Sequence, residues 1–248
     1  MTMEMTKLLI DADLYLFRAC AAAETETDWG DDIWSLWTDL GDAKEVFNNT
    51  INDITTTLNS TDLVLCLSDT NNFRKKIDPT YKSNRKKTRK PLGYKAMVDW
   101  AKNQHPYFSK PELEADDCMG IMATMPVNKG KCIIVSDDKD MKTIPAKVYR
   151  PMSSERLDIT EADANSFFLK QVLTGDQADG YSGLKGVGEK TADKILGSRP
   201  DWSLVERAYI KAGFTRSDAI KQAQLARILQ WSDWDKQKDK PILWRPKR

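Results

Sequence analysis

Apolar and polar positions change their period several times along the chain. Three short unbroken apolar runs, Leu8–Ile10, Leu63–Leu67 and Cys132–Val135, read as buried strands. Each is followed by an acid: Asp11, Asp69 and Asp138. Between the runs, apolar residues recur at helical spacing. This holds from Leu14 to Ala23, for Val46, Ile51, Ile54 and Leu58 within Ala43–Leu58, and over 94–103. It holds again from Ala115 to Met125, with Cys118, Ile121, Met122 and Met125 on one face. Short strands are expected near 147–150 and 156–159. After Ile159 the pattern is helical. Thr160 caps a helix to about Leu173, with Glu161 and Asp163 in its first turn. Further helices are expected near 188–196, 202–213 and 216–231. The reading is an α/β fold: a mostly parallel central sheet flanked by helices over 1–160, a helical module over 161–231, and a tail, 232–248, that packs back on the body.

Charge changes this picture through its distribution. The formal net charge of the 248 residues is +1, from 38 Lys and Arg against 37 Asp and Glu, yet the signs are segregated. Residues 24–45 hold eight acids against Lys44 alone, interleaved with Trp29, Trp34 and Trp37. A loop followed by an amphipathic helix, with the tryptophans packed inward, is expected there. From Phe73 to Lys95 ten Lys and Arg face one acid, Asp78. Pro79 and Pro91 bound a short helix in this segment. It reads either as a solvated loop or as a site for a polyanion. Tyr81, beside Lys82 and Arg85, offers a surface on which a base could stack.

Some chemistry is set aside by composition. A single histidine, His105, leaves little for a Ser-His-Asp triad or a multi-His zinc site. The cysteines Cys20, Cys66, Cys118 and Cys132 form no CxxC pair, sit in apolar runs and read as small core hydrophobes. Residues 1–7 do not resemble a secretion leader, and no apolar run is of membrane length. A cytoplasmic protein without membrane contact is expected.

The acids at the strand ends carry the chemistry. In open parallel sheets, ligand sites lie outside the carboxyl ends of the strands. Asp11, Asp69 and Asp138 would then converge on one rim, together with Glu114, Asp116 and Asp117 at the start of a helix and Asp140 two residues after Asp138. Singly, such an acid reads more readily as a helix cap or a helix-start acid. Jointly they would repel one another unless a divalent cation lies between them. Oxygen donors alone favour Mg²⁺ or Mn²⁺ over zinc. Two such ions about 4 Å apart can clamp both oxygens of a phosphodiester displacement. The run Gly183-Leu184-Lys185-Gly186-Val187-Gly188 fails both the P-loop and the dinucleotide patterns. It fits a tight turn between helices, either as bare cap glycines or as backbone N–H groups that meet a phosphate. Asp176 and Asp179, just upstream, could reach back to the acids.

Five stretches, in order, resemble the 5′ nucleases of the flap endonuclease family: LLIDADLYLFRA, LSDTNNFRKKIDPTYKSNR, LEADDCMG, IIVSDDKDMKTI and LTGDQADGYSGLKGVGEKTADKIL. AAAETETDWGDDIW, DPTYKSNRKKTRKPLGY, DGYSG and ILWRP are most similar to the 5′-to-3′ exonucleases of short-tailed bacteriophages, the gene 6 type. Gly180 stands where the wider family has Asn. The resemblance implies a PIN-like nuclease core with a basic arch segment, 71–103, and a helix-three-turn-helix DNA-binding module with its hairpin turn at 183–188. It implies a first metal near Asp11, Asp69, Glu114, Asp116 and Asp138, and a second near Asp117, Asp140, Asp176 and Asp179. Both are Mg²⁺, for which Mn²⁺ can substitute. A K⁺ ion is implied at the hairpin turn. Lys82 and Arg85 are implied as the cations on the scissile phosphate, Arg74 and Tyr81 as further nucleic-acid contacts, and Lys185, Gly186, Gly188 and Lys190 as the grip on duplex backbone. The implied activity is 5′-to-3′ hydrolysis by a metal-bound hydroxide that leaves 5′-phosphates. The implied substrates are double-stranded DNA with 5′ ends, flaps and RNA–DNA hybrids, handled by a monomer alongside replication proteins. The alternatives are a PIN-type ribonuclease and a catalytically dead structural DNA-binding homologue.

Overall fold

The three apolar runs become neighbouring strands. β1 (Lys7–Asp11) lies between β4 (Leu63–Cys66) and β6 (Cys132–Val135), parallel to both. β5 (Tyr107–Phe108) extends the sheet beyond β4, and β7 (Lys147–Arg150) extends it beyond β6, also in parallel. β8 (Glu155–Asp158) closes that edge antiparallel, giving the order β5-β4-β1-β6-β7-β8. The computed structural model describes residues 6–84 and 89–246.

Both faces of this sheet are covered, which is why its central strands are unbroken apolar runs rather than alternating ones. Leu8 and Ile10 pack against α1 (Ala12–Ala22), α2 (Leu40–Leu58) and α4 (Tyr94–Gln104). Leu9 packs on the other face with α5 (Ala115–Thr124), Ile228 and Leu229. All three leucine and isoleucine side chains of β1 are fully buried, each stabilising the fold by about 1.5–3 kcal/mol. The four cysteines are buried and unpaired.

The remainder is helical. α6 (Glu161–Thr174) starts at a capping box between Thr160 and Asp163. α7 (Glu189–Leu196), α8 (Trp202–Lys211) and α9 (Arg216–Ala226) follow. Phe168, Val172, Tyr209 and Ala223 form their core, which also takes in Tyr81 from the basic segment. Trp244 packs edge-on to Phe168 and tilted against Trp202. Among the described residues, no helix is long and apolar enough to cross a membrane.

Two expectations are corrected, on residues 24–38 and on the end of the last helix. Residues 24–38 form a β-hairpin, β2 (Glu24–Asp28) and β3 (Trp34–Thr38), and not a loop leading into a helix. Its tryptophans are not packed inward: Trp29, Trp34 and Trp37 are 69%, 58% and 52% exposed. Thr25 and Thr27 favour the extended ribbon, and Gly30, Asp31 and Asp32 turn it with positive φ. α3 (Arg74–Ile77) adds a turn of helix before Pro79 and ends at Asp78, the residue that proline keeps extended; between Pro79 and Pro91, Ser83 and Asn84 are in a 3-10 turn, and the rest of the short helix expected there falls on 85–88, outside the described residues. Finally, α9 stops at Ala226 and not 231, because the chain leaves the helix to lie on α5. A Cβ on Gly120 would come within 2.3 Å of Leu229 O.

Candidate active site

The sheet reverses its winding direction at β1, so the carboxyl ends of β1, β4 and β6 open onto one rim. A cavity of about 690 Å³ lies there, lined by Asp11, Asp13, Lys82, Glu114, Asp116 and Asp138 among others. Asp11 is 6% exposed. Its carboxylate accepts from Leu14 N at 3.3 Å and Ser136 Oγ at 2.7 Å. Burial lifts its pKa to about 7 against the Ser136 hydrogen bond, with Asp13 and Asp138 adding repulsion. Asp116, in the first turn of α5, is raised well above the carboxylate range by burial and then by Asp11 and Asp138. Asp138 is exposed and accepts from Asp140 N at 2.8 Å.

A second set meets fixed cations. Glu114, which caps α5, pairs with Lys82 and lies 3.1 Å from Arg74 Nη1. Burial alone would raise its pKa, but Lys82 and Arg74 outweigh burial and hold it at about 2. Lys82 also lies 3.5 Å from Asp179 Oδ2. Burial opposes the charge of Lys82, yet Glu114, Asp179 and Asp116 hold the ammonium above its usual range. The Lys82 backbone is left-handed, φ 53°, and its N–H donates to Asp179 O at 2.8 Å. The Asn84 amide donates to Gln177 O and Ala178 O. The base of the basic segment is therefore tied to the loop 176–180. That loop is itself held where Gly175 and Gly183 cross: a Cβ on Gly183 would meet Gly175 N at 2.2 Å, and both residues have positive φ.

Asp140, Asp176 and Asp179 extend the acids toward this loop. Burial and Asp138 push Asp140 up to about 7, with Lys139 opposing and Asp176 and Asp179 adding repulsion. Burial would raise Asp176 too, but Lys139, 3.0 Å away, and the N–H groups of Ala178 and Asp179 hold it below the usual range.

Three sequence assignments move, and Asp69 stands outside the lining of the cavity. Asp117 is fully buried and faces Arg74 in a two-bond fork of 2.7 and 2.8 Å, so its carboxylate is committed to a structural pair and not to a metal. Arg74 is 2% exposed. Besides Asp117 and Glu114, it donates to Leu225 O at 3.0 Å and Arg227 O at 2.6 Å, which removes it as a nucleic-acid contact. Tyr81 is 2% exposed and offers no ring face to a base; its hydroxyl lies 3.0 Å from both Glu114 Oε2 and Asp179 Oδ2. Asp69 does not line the cavity; its carboxylate accepts from Glu112 N at 2.8 Å, the first cause of its lowered pKa. Arg85 lies outside the described residues. Lys185, Gly186, Gly188 and Lys190 are exposed on and beside the turn into α7.

Sequence reading missed Asp13, Ser136, Phe17 and Gln171. Asp13 accepts from Ser68 N and Tyr94 Oη, both at 3.1 Å, and its place two residues after Asp11 was a signal. Ser136 follows β6 directly. Phe17 lines the cavity, 39% exposed. Gln171 donates to Asp140 from the apolar face of α6, where a buried amide was the only sign.

Among the described residues, no three His, Cys, Asp or Glu side chains are arranged to hold a metal ion. The donor chemistry nonetheless fits hard divalent cations. The set is all oxygen, and the pKa of Asp11 and of Asp116 is raised by burial and by neighbouring carboxylates.

The family model described as the 5′-3′ exonuclease N-terminal resolvase-like domain matches residues 6–167. The exonuclease of Escherichia phage T7 is 32% identical over 96% of this chain and 93% of its own. The exodeoxyribonuclease of Enterobacteria phage T3 is 31% identical over 97% and 93%. Among solved structures, a T5 5′-exonuclease with bound zinc shares the fold at a TM-score of 0.59 and 15% identity, over 89% of this chain and 88% of that one. The catalytic core of Rad2 in complex with a DNA substrate does so at 0.52 and 14%, over 85% and 66%. With a matching family model over most of its length, two phage relatives along nearly all of it and acids gathered at the carboxyl ends of the central strands, this chain belongs to the 5′-3′ exonuclease and flap endonuclease family.

Proposed function

We propose that the protein is a divalent-cation-dependent 5′-to-3′ exonuclease that hydrolyses double-stranded DNA from 5′ ends, with flaps and RNA strands of RNA–DNA hybrids as further substrates. One observation carries the reading: Asp11, Asp116 and Asp138 line one cavity together with Lys82, and Asp11 and Asp138 are close enough to Asp116 to repel its charge. Asp11, Asp116 and Asp138, with Glu114 beside them, would hold one Mg²⁺ or Mn²⁺; Asp140, Asp176 and Asp179 would hold the second. Bound there, the cations supply Lewis-acid polarisation of the phosphodiester and activation of the attacking water.

The side chains do the rest. Lys82, tethered to Glu114 and Asp179, neutralises the charge that develops on the scissile phosphate. Ser136 and Leu14 N fix the Asp11 carboxylate. Phe17 offers an apolar surface to the nucleotide at the cut. Lys185, Gly186, Gly188 and Lys190 grip duplex backbone away from it, with K⁺ at the turn. The basic segment 71–103, including Arg85, steers the substrate. The enzyme works as a monomer in the cytoplasm, and its products carry 5′-phosphates.

The test is a duplex labelled separately at its 5′ and 3′ ends, digested with Mg²⁺ or with EDTA. Early release of short 5′-labelled products with Mg²⁺ alone is expected. Binding without cleavage of duplex, flap or hybrid would overturn the reading.

A further inference from the structure

Gln171 lies in the last turns of α6, on a face where Phe168, Leu169, Val172 and Leu173 are buried. It is itself only 6% exposed. Its Nε2 donates to Asp140 Oδ1 at 2.6 Å. Its Oε1, also buried, accepts no hydrogen bond among the described residues. Leaving such an atom unsatisfied costs stability. An apolar side chain of similar shape would pack there without that cost. What the amide adds is one hydrogen bond to one carboxylate.

That carboxylate stands at a junction. Asp140 opens the turn Lys139–Thr143, and its N–H donates to Asp138 at 2.8 Å. Asp176 and Asp179 are also close enough to repel its charge. Asp140 is thus the acid between the strand-end set and the loop set, and the bond from Gln171 holds it from a different element, α6.

We propose that Gln171 is a positioning residue: its amide N–H fixes the rotamer of Asp140 and so presets that carboxylate as a ligand for a divalent cation. This rests on the assignment of Asp140 to the second cation made under Proposed function. Partners that orient ligating side chains typically change metal affinity about 10- to 100-fold when removed.

The experiment is Mn²⁺ binding to the full chain without DNA, read by loss of the free-ion electron paramagnetic resonance signal. Wild type, Gln171→Leu, Asp140→Asn and the double variant are compared, with thermal melting in EDTA as the folding control. Gln171→Leu is expected to weaken the looser Mn²⁺ site about 10-fold at unchanged or higher melting temperature, and to add nothing to Asp140→Asn. Wild-type affinity in Gln171→Leu, or an equal loss in the Asp140→Asn background, overturns the proposal. Should Gln171→Leu not fold, Gln171→Met enters the same titration. A wild-type protein that binds Mn²⁺ but cleaves no 5′-labelled duplex sinks the nuclease reading and leaves the Gln171 comparison standing. One that cleaves while Gln171→Leu binds normally sinks only the positioning role.

Discussion

The carboxylates around the cavity fall into two sets that differ in what stands opposite them. Glu114, Asp117, Asp176 and Asp179 meet Lys82, Arg74 or Lys139 at fixed positions. Asp11, Asp116, Asp138 and Asp140 mainly meet one another. The first set is balanced by the protein's own cations, and part of it is structural: Arg74 satisfies its guanidinium on Asp117, Glu114, Leu225 O and Arg227 O, tying α3, α5 and the end of α9 together. The second set carries unbalanced negative charge, which destabilises the folded chain by itself and suits it to a cation that arrives from solution.

The difference can be broken from either side. The largest effect is expected for Asp116→Asn with Asp138→Asn: 5′-end cleavage should fall at least ~10³-fold, while duplex binding in EDTA persists. Retained cleavage would reverse the assignment of the two sets. Next comes Arg74→Ala, which leaves Asp117 buried and uncompensated and should cost about 3–5 kcal/mol of folding stability in urea melts; replacing both partners by apolar residues, Arg74→Met with Asp117→Leu, should cost less. Lys82→Ala should slow single-turnover cleavage about 10²-fold with duplex affinity nearly unchanged. An effect confined to affinity would make Lys82 a steering charge.

A pH experiment sharpens the contrast. Asp11 titrates at about 7 in the folded protein and near ~4 in an unfolded chain. Its protonated form therefore favours the fold fully below ~4, and this contribution is lost as pH rises through about 7. In EDTA, the wild-type melting temperature should fall relative to Asp11→Asn as pH rises from about 5 to about 7.5, and Mg²⁺ should restore it most at the higher pH. Parallel curves would show that Asp11 carries no such burden. The smallest effect is expected for Lys139→Ala. Its side chain is 64% exposed, so the loss should stay below about 1 kcal/mol.

The sheet and the strand-end acids were legible because burial on both faces writes unbroken apolar runs, and a site at their carboxyl ends follows from parallel packing alone. Asp117 was not, because a carboxylate in a first helical turn looks the same whether it faces a metal or an arginine 43 residues away in sequence. Arg74 and Tyr81 misled for the same reason. Composition reports a basic, aromatic segment, but not that its first turns fold under the helices while Arg89, Lys90 and Lys95 stay exposed. The tryptophans misled in the opposite sense: large apolar residues usually mark a core, and here a two-stranded ribbon is too thin to cover them.

That ribbon has a colloidal consequence. β2 and β3 form a sheet of two strands, both of them edges, with Trp34, Leu36 and Trp37 on the second strand at least 38% exposed. Such an edge is a template for pairing with its like in another molecule. Glu26, Asp28, Asp31 and Asp32 place negative charge along the ribbon, and at low salt copies repel one another before their strands can meet. At 1 M salt the reach of that repulsion shrinks to about 3 Å, so concentrated stocks should cloud first at high ionic strength, and replacing Trp34 by Ser should delay it.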